Sequence, residues 1–452
     1  MNFVSRNGRS EPSSAIPLSR AELVETTTTD PVFDAEWYAQ TYPDVAASEL
    51  PAWQHFLLVG DLENRPPNPE FDVDFYRRTY MQLETPGAGA HYIIEGRARG
   101  YLTQQITISA RQSSRAMRAA VAYRRFPFVL VGHDAQRAGA PLLQLEVARH
   151  LRMRGFAPIF ILQRGGPILD RFQGLGPTFL LAEGWDAAAL GEGLRPHTPS
   201  LGSTAWSASV LNTMKLAGPH AVAVHEMLEY VRAHDLLEAV GETRNVIASF
   251  PGQLADLRAS LPAQTRVTHV QPALIYSRVR SLARRRVGRL LTRKWGKDRI
   301  VFLGAGFADH RKGFDLFLAA ARRIHARLPE ARFVWLGERA GWGRDLADAA
   351  IADGLALFMP GFVTDAAGWY AHATVYLLTS RQDPGPTTVM DAARAGVPFV
   401  AYRTDLGLLA HADELRLVGT FVDTDEEFDA QVLAYVDHDT AARRRARARA
   451  VA

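Results

Sequence analysis

Two long blocks of the chain, 126–275 and 299–436, alternate short apolar runs with stretches of helical periodicity. In the first, FPFVLVGHD reads as a buried strand, PLLQLEVARHLRMRG as an amphipathic helix and APIFILQRGG as the next strand, and VAVHEM and RNVIAS continue the alternation. In the second, DRIVFLGAGF, ARFVWLGE, LALFMPGFV and VYLLTS are the strands, with FDLFLAAARRIHARLP and a stretch around Trp369 as helices between them. Only a crossover connection returns a chain to begin a parallel neighbour, and a sheet covered on both faces is apolar at every position. Such a pattern therefore specifies parallel sheets built from βαβ units. The expected fold is α/β, with two Rossmann-like domains facing each other across a cleft.

The flanks have a different texture. Residues 1–30 are polar, scattered with Ser, Thr and Pro, and read as a flexible N-terminus. Residues 31–102 contain an internal repeat: Phe33, Asp34, Tyr38 and Tyr42 recur as Phe71, Asp72, Tyr76 and Tyr80, while His55 and Gly60 recur as His91 and Gly96. Each copy reads as a helical hairpin. Asp34 and Asp72 are N-caps, Phe33/Tyr38 and Phe71/Tyr76 stand at staple spacing, and Gly60 and Gly96 sit where a C′ glycine would end the second helix. Two copies are fewer than a free-standing solenoid needs, so the pair is expected to dock on a neighbour. Residues 103–125 read as a linker, 276–298 as a basic linker, and 437–452 as a basic tail.

Several function classes drop out. The chain has no cysteine, which removes disulfides and thiolate chemistry and fits a reducing compartment. The N-terminus lacks the apolar core of a secretory signal, and no apolar run approaches the roughly 20 residues of a membrane span. A cytoplasmic protein is expected, able to touch the inner face of a membrane peripherally. The formal charge is only +4, but arginines cluster in YSRVRSLARRRVGRLLTRKW and in AARRRARARA. Such runs are solvated helix faces or attract anionic lipid or a phosphorylated acceptor. They lack the interleaved aromatics of a base-stacking surface, so nucleic acid is not expected.

Familiar cleft chemistries are also missing. LGAGFADHRKG has two glycines after a strand but not the third of a dinucleotide loop, and no Lys is followed by Ser or Thr as in a phosphate loop. No G-x-S-x-G elbow or H-E-x-x-H occurs. The aspartate pairs at 72–74 and 423–425 read as surface features rather than metal ligands. The stretch RQDPGPTTVMDAARAGVP is more informative. VYLLTS is the strand before it and TTVMDAARA a helix, with Gly396 as C′ residue and Pro398 as stop. A loop from the carboxyl end of a parallel strand into a helix N-terminus is where anions bind. The amides of Gly385, Thr387 and Thr388 are candidate donors, since Pro384 and Pro386 have none. Asp383 at the loop entrance and Asp391 one turn into the helix could take hydroxyls on either side of an anion, which suits a ligand part phosphate and part sugar. Read from this helix alone, the pair could equally be an N-cap and a solvated aspartate.

SRQDPGPTTVMDAARAGVPFVAY resembles the signature of glycosyltransferase family 4, retaining enzymes of the GT-B fold. In that family two acidic residues, usually both glutamate, bracket the loop. The resemblance implies that Asp383 and the amides after it hold donor-sugar hydroxyls, while Asp391 holds the nucleotide ribose. GAGFADHRKGFDLFL resembles the family's R-x-x-x-x-K-G region, implying that Lys312, with Arg311 beside it, neutralises the donor diphosphate. GFVTDAAGWYAHATVYLLTS resembles the segment whose main chain, near Phe362 and Val363, borders the nucleobase. HDAQRAGAPLLQLEVARHL resembles the loop closing over donor and acceptor, around His133, Gly139 and Ala140, and VAVHEM places His225 where the family has a histidine near the reacting sugar. From the residues alone, His225 could merely cap a strand and His133 merely stabilise its loop. The resemblance covers about 126–436, and the aromatic repeats resemble modules fused to bacterial glycosyltransferases of polysaccharide assembly.

The implied activity is metal-independent, cofactor-free transfer of a hexose, with retention, from a nucleotide-sugar to a glycan or lipid-linked glycan. Two departures point the other way, to a degenerate GT-B-fold scaffold acting through its repeats. Both family glutamates are aspartate here, and Phe307 stands in the approximate place of the family's first arginine. The long final helix of relatives is expected to be short or absent.

Overall fold

The computed structural model describes residues 30–437, apart from 82–86, 98, 271–280, 298, 340 and 364. The expected flexible N-terminus and basic tail thus lie almost wholly outside the described residues. Seven strands form the first sheet: Pro127–Gly132 (β1), Ala157–Leu162 (β2), Thr178–Leu180 (β3), Ser200–Ser203 (β4), His220–Val224 (β5), Asn245–Ala248 (β6) and Arg266–His269 (β7). They run in the order β3-β2-β1-β4-β5-β6-β7. Six more form the second: Ile300–Ala305 (β8), Ala331–Leu336 (β9), Leu357–Gly361 (β10), Val375–Leu378 (β11), Phe399–Tyr402 (β13) and Gly419–Val422 (β15), in the order β10-β9-β8-β11-β13-β15. Gln382–Asp383 (β12) and Asp405–Leu406 (β14) make a two-residue parallel ladder of their own. Every pairing in both large sheets is parallel.

Alternation of side chains explains why the strands are apolar throughout. Val129, Val131, Ile159 and Ile161 join the core on one face of the first sheet, and Leu130, Phe160 and Leu162 that on the other. In the second sheet Phe302, Phe333 and Trp335 point one way, and Val301, Leu303, Val334 and Leu336 the other. Both sheets reverse strand order once, between β1 and β4 and between β8 and β11. At such a reversal the loops leave in opposite directions and open a crevice at the strands' carboxyl ends.

The stretches expected as linkers carry structure. Residues 103–125 hold the helix Ala110–Ala122, with a capping box at Ser109 and Gln112, and its Met117, Ala120 and Val121 are buried in the first sheet's core. The basic stretch holds the helix Ser281–Trp295, whose Val287 and Leu291 are buried against the second sheet.

The repeat is helical as expected. The Asp34 side chain accepts from Trp37 N at 2.9 Å and that of Asp72 from Phe75 N at 2.8 Å. Phe33 and Tyr38 rings stand 5.5 Å apart, Phe71 and Tyr76 rings 5.2 Å. The glycines have a different role from the one their position suggests. Gly60 and Gly96 end π-helical turns, Phe56–Gly60 and Tyr92–Gly96, and neither has positive φ. A Cβ at Gly60 would lie 1.8 Å from the Tyr38 hydroxyl, and one at Gly96 2.1 Å from that of Tyr76. These glycines therefore make room for a tyrosine that reaches the repeat's histidine: Tyr38 to His55 at 3.3 Å, Tyr76 to His91 at 2.8 Å. The copies are joined by buried Asp61, which accepts from the Gly89 and Ala90 amides at 2.8 and 3.0 Å. The second copy docks on the first sheet: Phe75, Tyr76 and Tyr80 share a core with Leu130, Phe160 and Leu162, and the Tyr80 hydroxyl donates to Glu183 at 2.6 Å.

Candidate functional site

The loops leaving β8 and β11 meet at the second sheet's reversal. The β8 loop carries Asp309, Arg311 and Lys312 into the helix Phe314–Arg327. Gly313 begins that helix at φ 63°, and a Cβ there would lie 1.8 Å from the Thr379 carbonyl. The turn is tight enough to admit only glycine. It presents Lys312 to the neighbouring loop, where its Nζ pairs with the carboxylate of buried Asp383. The Arg311 carbonyl accepts from Arg381 N at 2.9 Å, and its exposed guanidinium donates to the Gln382 carbonyl at 3.1 Å. The sequence set Arg311, Lys312 and Asp383 is thus brought into one place.

The helix Thr387–Arg394 begins without a side-chain cap and ends as expected, at Gly396 with φ 75°. Its loop is partly closed on itself. Thr387 N donates to the Gly385 carbonyl at 2.7 Å across Pro386, whose φ −67° and ψ 81° are those of an inverse γ-turn. Gly385 N donates to Asp383 Oδ1 at 3.3 Å. Of the three amides named from the sequence, only that of Thr388 makes no hydrogen bond among the described residues; two prolines bend the loop inward and engage the others. The Thr388 hydroxyl accepts from Tyr376 at 2.8 Å. Asp391 lies one turn in, its carboxyl without a hydrogen bond among the described residues. Burial pushes it up to about 7, with Arg394 pulling it back.

The first sheet offers a second cluster at its own reversal. His225 follows β5, and its Nδ1 lies 2.6 Å from the Ser249 hydroxyl. Burial, then repulsion from His133, lowers it to about 4, so its imidazole is neutral near neutral pH. Glu226 accepts from Ala205 N at 3.1 Å and His225 N at 3.0 Å, and burial holds its carboxyl above the ordinary range. His133 sits with Nδ1 3.3 Å from the Thr204 hydroxyl and Nε2 3.4 Å from Asp134. Thr204 holds φ 102°, a region costly for a β-branched residue. Gly139 and Ala140 begin the helix Gly139–Met153, where a Cβ at Gly139 meets only open space.

Two contacts bring these clusters to one cleft. The residue after Ser249 is Phe250, whose ring lies 1.7 Å from where a Cβ on Gly385 would stand. Arg137, in the loop after β1, reaches Glu338 of the second domain at 2.9 Å and stands over the Phe362 ring at 5.4 Å. Phe362 therefore faces the first domain, while Val363 packs into the core of the second sheet. Thr204, Glu226, Ser249, Phe250, Arg137 and Glu338 were not singled out from the sequence. The one signal for them was position, since each except Thr204 directly follows an apolar strand run or lies in the loop after it; Thr204 follows the polar strand Ser200–Ser203, which gave no signal. Three of the four aspartates set aside as metal ligands have structural partners: Asp72 is an N-cap, while Asp423 and Asp425 pair with Arg403 and Arg323.

A family model described as glycosyl transferases group 1 matches residues 297–437. The fold resembles that of HepE from Anabaena in complex with UDP, at 15% identity and a TM-score of 0.58, covering 72% of this chain and 94% of that one. Sucrose-phosphate synthase from Thermosynechococcus elongatus matches at 15% identity and 0.56, covering 72% and 93%. WaaG, a glycosyltransferase involved in lipopolysaccharide biosynthesis, matches at 14% and 0.52, covering 72% and 94%. No curated protein matches the sequence. The two-domain architecture is that of the GT-B fold, and the match to the glycosyl transferases group 1 model falls on the second unit.

Proposed function

We propose that the protein is a retaining glycosyltransferase of family 4 that moves a sugar from a nucleotide-sugar donor to a glycan or lipid-linked glycan in bacterial polysaccharide assembly. The observation that carries this reading is the Lys312–Asp383 pair at the β8/β11 reversal. A ligand that enters between them must satisfy both a cation and a buried carboxylate, because either one left alone is costly. A phosphate by itself serves only the lysine. A sugar diphosphate brings anionic oxygens for Lys312 and Arg311 and hydroxyl donors for Asp383.

Thr388 N and the helix start add positive potential at the phosphates. The ribose falls to Asp391, one turn on, and the base to the Phe362–Val363 segment under Arg137. His225, neutral and engaged at Nδ1 by Ser249, presents Nε2 to the sugar. When Ser249 donates to Nδ1, Nε2 carries the proton and can donate to a sugar hydroxyl. In the step itself the bond from the anomeric carbon to the diphosphate breaks and the acceptor oxygen bonds to that carbon on the same face. The acceptor's proton passes to the departing phosphate oxygen. The positive groups around that phosphate are in place before its charge develops. They supply what a metal ion would, so none is assigned a step.

Calorimetric titration with UDP, GDP and dTDP, on wild type and Lys312→Ala, tests the assignment. The expected result is one tight binder, weakened by about 1.5–3 kcal/mol in the variant, the range for a hydrogen bond to a charged group. An unchanged dissociation constant would remove the lysine from the site. A second reading has its own support: the loop amides of Gly385 and Thr387 are already engaged, as in a scaffold whose donor site has closed. Absence of binding to all three nucleotides would establish that reading instead.

A further inference from the structure

The helix Ser281–Trp295 joins the two sheets and lies against the second through Val287 and Leu291. The helix carries Arg284, Arg285, Arg286, Arg289, Arg293 and Lys294, all exposed, with Lys294 lying over the Trp295 and Phe358 rings, and it has no acidic residue. These six positive charges exceed the formal net charge of the entire chain, +4. Among the described residues none of the six forms an ion pair. Elsewhere Arg322 pairs with Asp353, Arg403 with Asp423 and Arg416 with Asp413, while Arg154 and Arg344 are exposed without an ion pair among the described residues; what sets this helix apart is how closely its cations stand together. A helix that concentrates like charge and leaves it unpaired carries a repulsive cost that an anionic partner would relieve.

Two further features say what kind of partner. Leu282, at the start of the same helix, is 76% exposed, an apolar side chain beside cationic ones. A groove of about 1130 Å³ opens along this helix, with His372 and Arg284, Arg285, Arg289 and Arg293 lining it. Arg285 and Arg293 are eight residues apart, roughly 12 Å along the axis at 1.5 Å per residue. The charge is thus spread over a surface, not converged on one phosphate, and it is mixed with an exposed leucine. Cationic and apolar side chains on one helix side are the composition of a membrane interface.

We propose that this helix docks the protein on an anionic membrane, with the arginines among lipid headgroups and Leu282 at the acyl boundary. The helix shares the face of the second sheet that holds Val389 and Ala392 of the helix Thr387–Arg394. Docking there fixes that domain against the bilayer. The inference does not rest on the transferase reading, since it uses no residue of the cleft.

The test is co-sedimentation of the full chain with vesicles of phosphatidylcholine alone, or with phosphatidylglycerol added. Wild type is expected to bind the anionic vesicles, ignore the neutral ones and release with added salt. The variant R285S/R289S/R293S is expected to bind on the order of 100-fold more weakly, at about fivefold per basic residue, with its melting temperature unchanged. The triple lysine variant at the same positions should keep most of the binding. If the triple serine variant does not fold, Arg289→Ser alone should show the fivefold loss. Removing residues 438–452, the other arginine cluster, should leave binding in place. The proposal is overturned if wild type ignores anionic vesicles, if the serine variants bind as wild type does, or if binding leaves with the tail. Release by inorganic phosphate well beyond that by chloride of equal ionic strength would also overturn it, showing a discrete phosphate site.

Discussion

Asp391→Asn should move stability and ligand binding in opposite directions, each with its own pH dependence. Burial raises the folded carboxyl from 3.8 to about 7. Below the lower value both folded and unfolded chains hold the proton, and the group contributes nothing. As pH rises from about 4 to about 7 the unfolded chain ionises while the folded one does not, so stability falls. Above about 7 the cost is complete, on the order of 4 kcal/mol at roughly 1.4 per unit. That figure is already net of the attraction to Arg394, so at about pH 8 the asparagine variant should be more stable by up to this amount, and at about pH 4 no more stable than wild type. Binding runs the other way. Under the proposed function a ribose hydroxyl donates to the carboxylate, which must first lose its proton, so wild-type affinity should rise up to about tenfold per unit between roughly pH 6 and 7 and then level. The asparagine variant should bind about 1.5–3 kcal/mol more weakly at high pH and show no such rise. Urea unfolding and nucleotide calorimetry at matched pH values read both arms. Flat wild-type affinity across this range, or a variant less stable at high pH, would refute the burial argument.

Gly385→Ala should disrupt the cleft, since its methyl meets the Phe250 ring; nucleotide affinity should fall, and Phe250→Ala in the same chain should restore part of it. Gly60→Ala should lower the melting temperature by crowding the Tyr38 hydroxyl, and Tyr38→Phe should relieve it by removing the atom struck. Equal effects in single and double variants would show that the glycines matter for another reason.

The two sheets were legible because their strands are apolar on both faces, and runs such as FPFVLVG and APIFIL leave no other assignment. Thr178–Leu180, Ser200–Ser203 and Gly419–Val422 escaped because they are too short or too polar to stand out. The N-caps Asp34 and Asp72 followed from local rules that need no tertiary knowledge. Gly60 and Gly96 misled because a glycine after a helical run fits two explanations, and only the partner side chain, some 20 residues earlier, separates them. The same limit applied at the site. Asp383 was found from its own loop and Lys312 through the family resemblance of GAGFADHRKGFDLFL, but their pairing depends on the order β8-β11, which no local pattern states. Phe250 against Gly385 and Arg137 against Phe362 cross between domains, and the sequence holds no trace of either. Loop closure by Thr387 N was readable in principle from Pro-Gly-Pro, which restricts the chain strongly but does not say which way the amides turn.

The second repeat's shared core with the first sheet has a consequence for synthesis. Residues 71–81 leave the ribosome before Leu130, Phe160 and Leu162, the residues that cover Phe75, Tyr76 and Tyr80. Until those strands emerge, the nascent chain presents an aromatic face with nothing to cover it. Exposed apolar surface of this kind recruits chaperones or other nascent chains. A ribosome-stalled fragment ending before β1 should therefore be open to protease at these aromatics, and one extended past β3 protected. The module at the front of this chain is timed by the domain behind it.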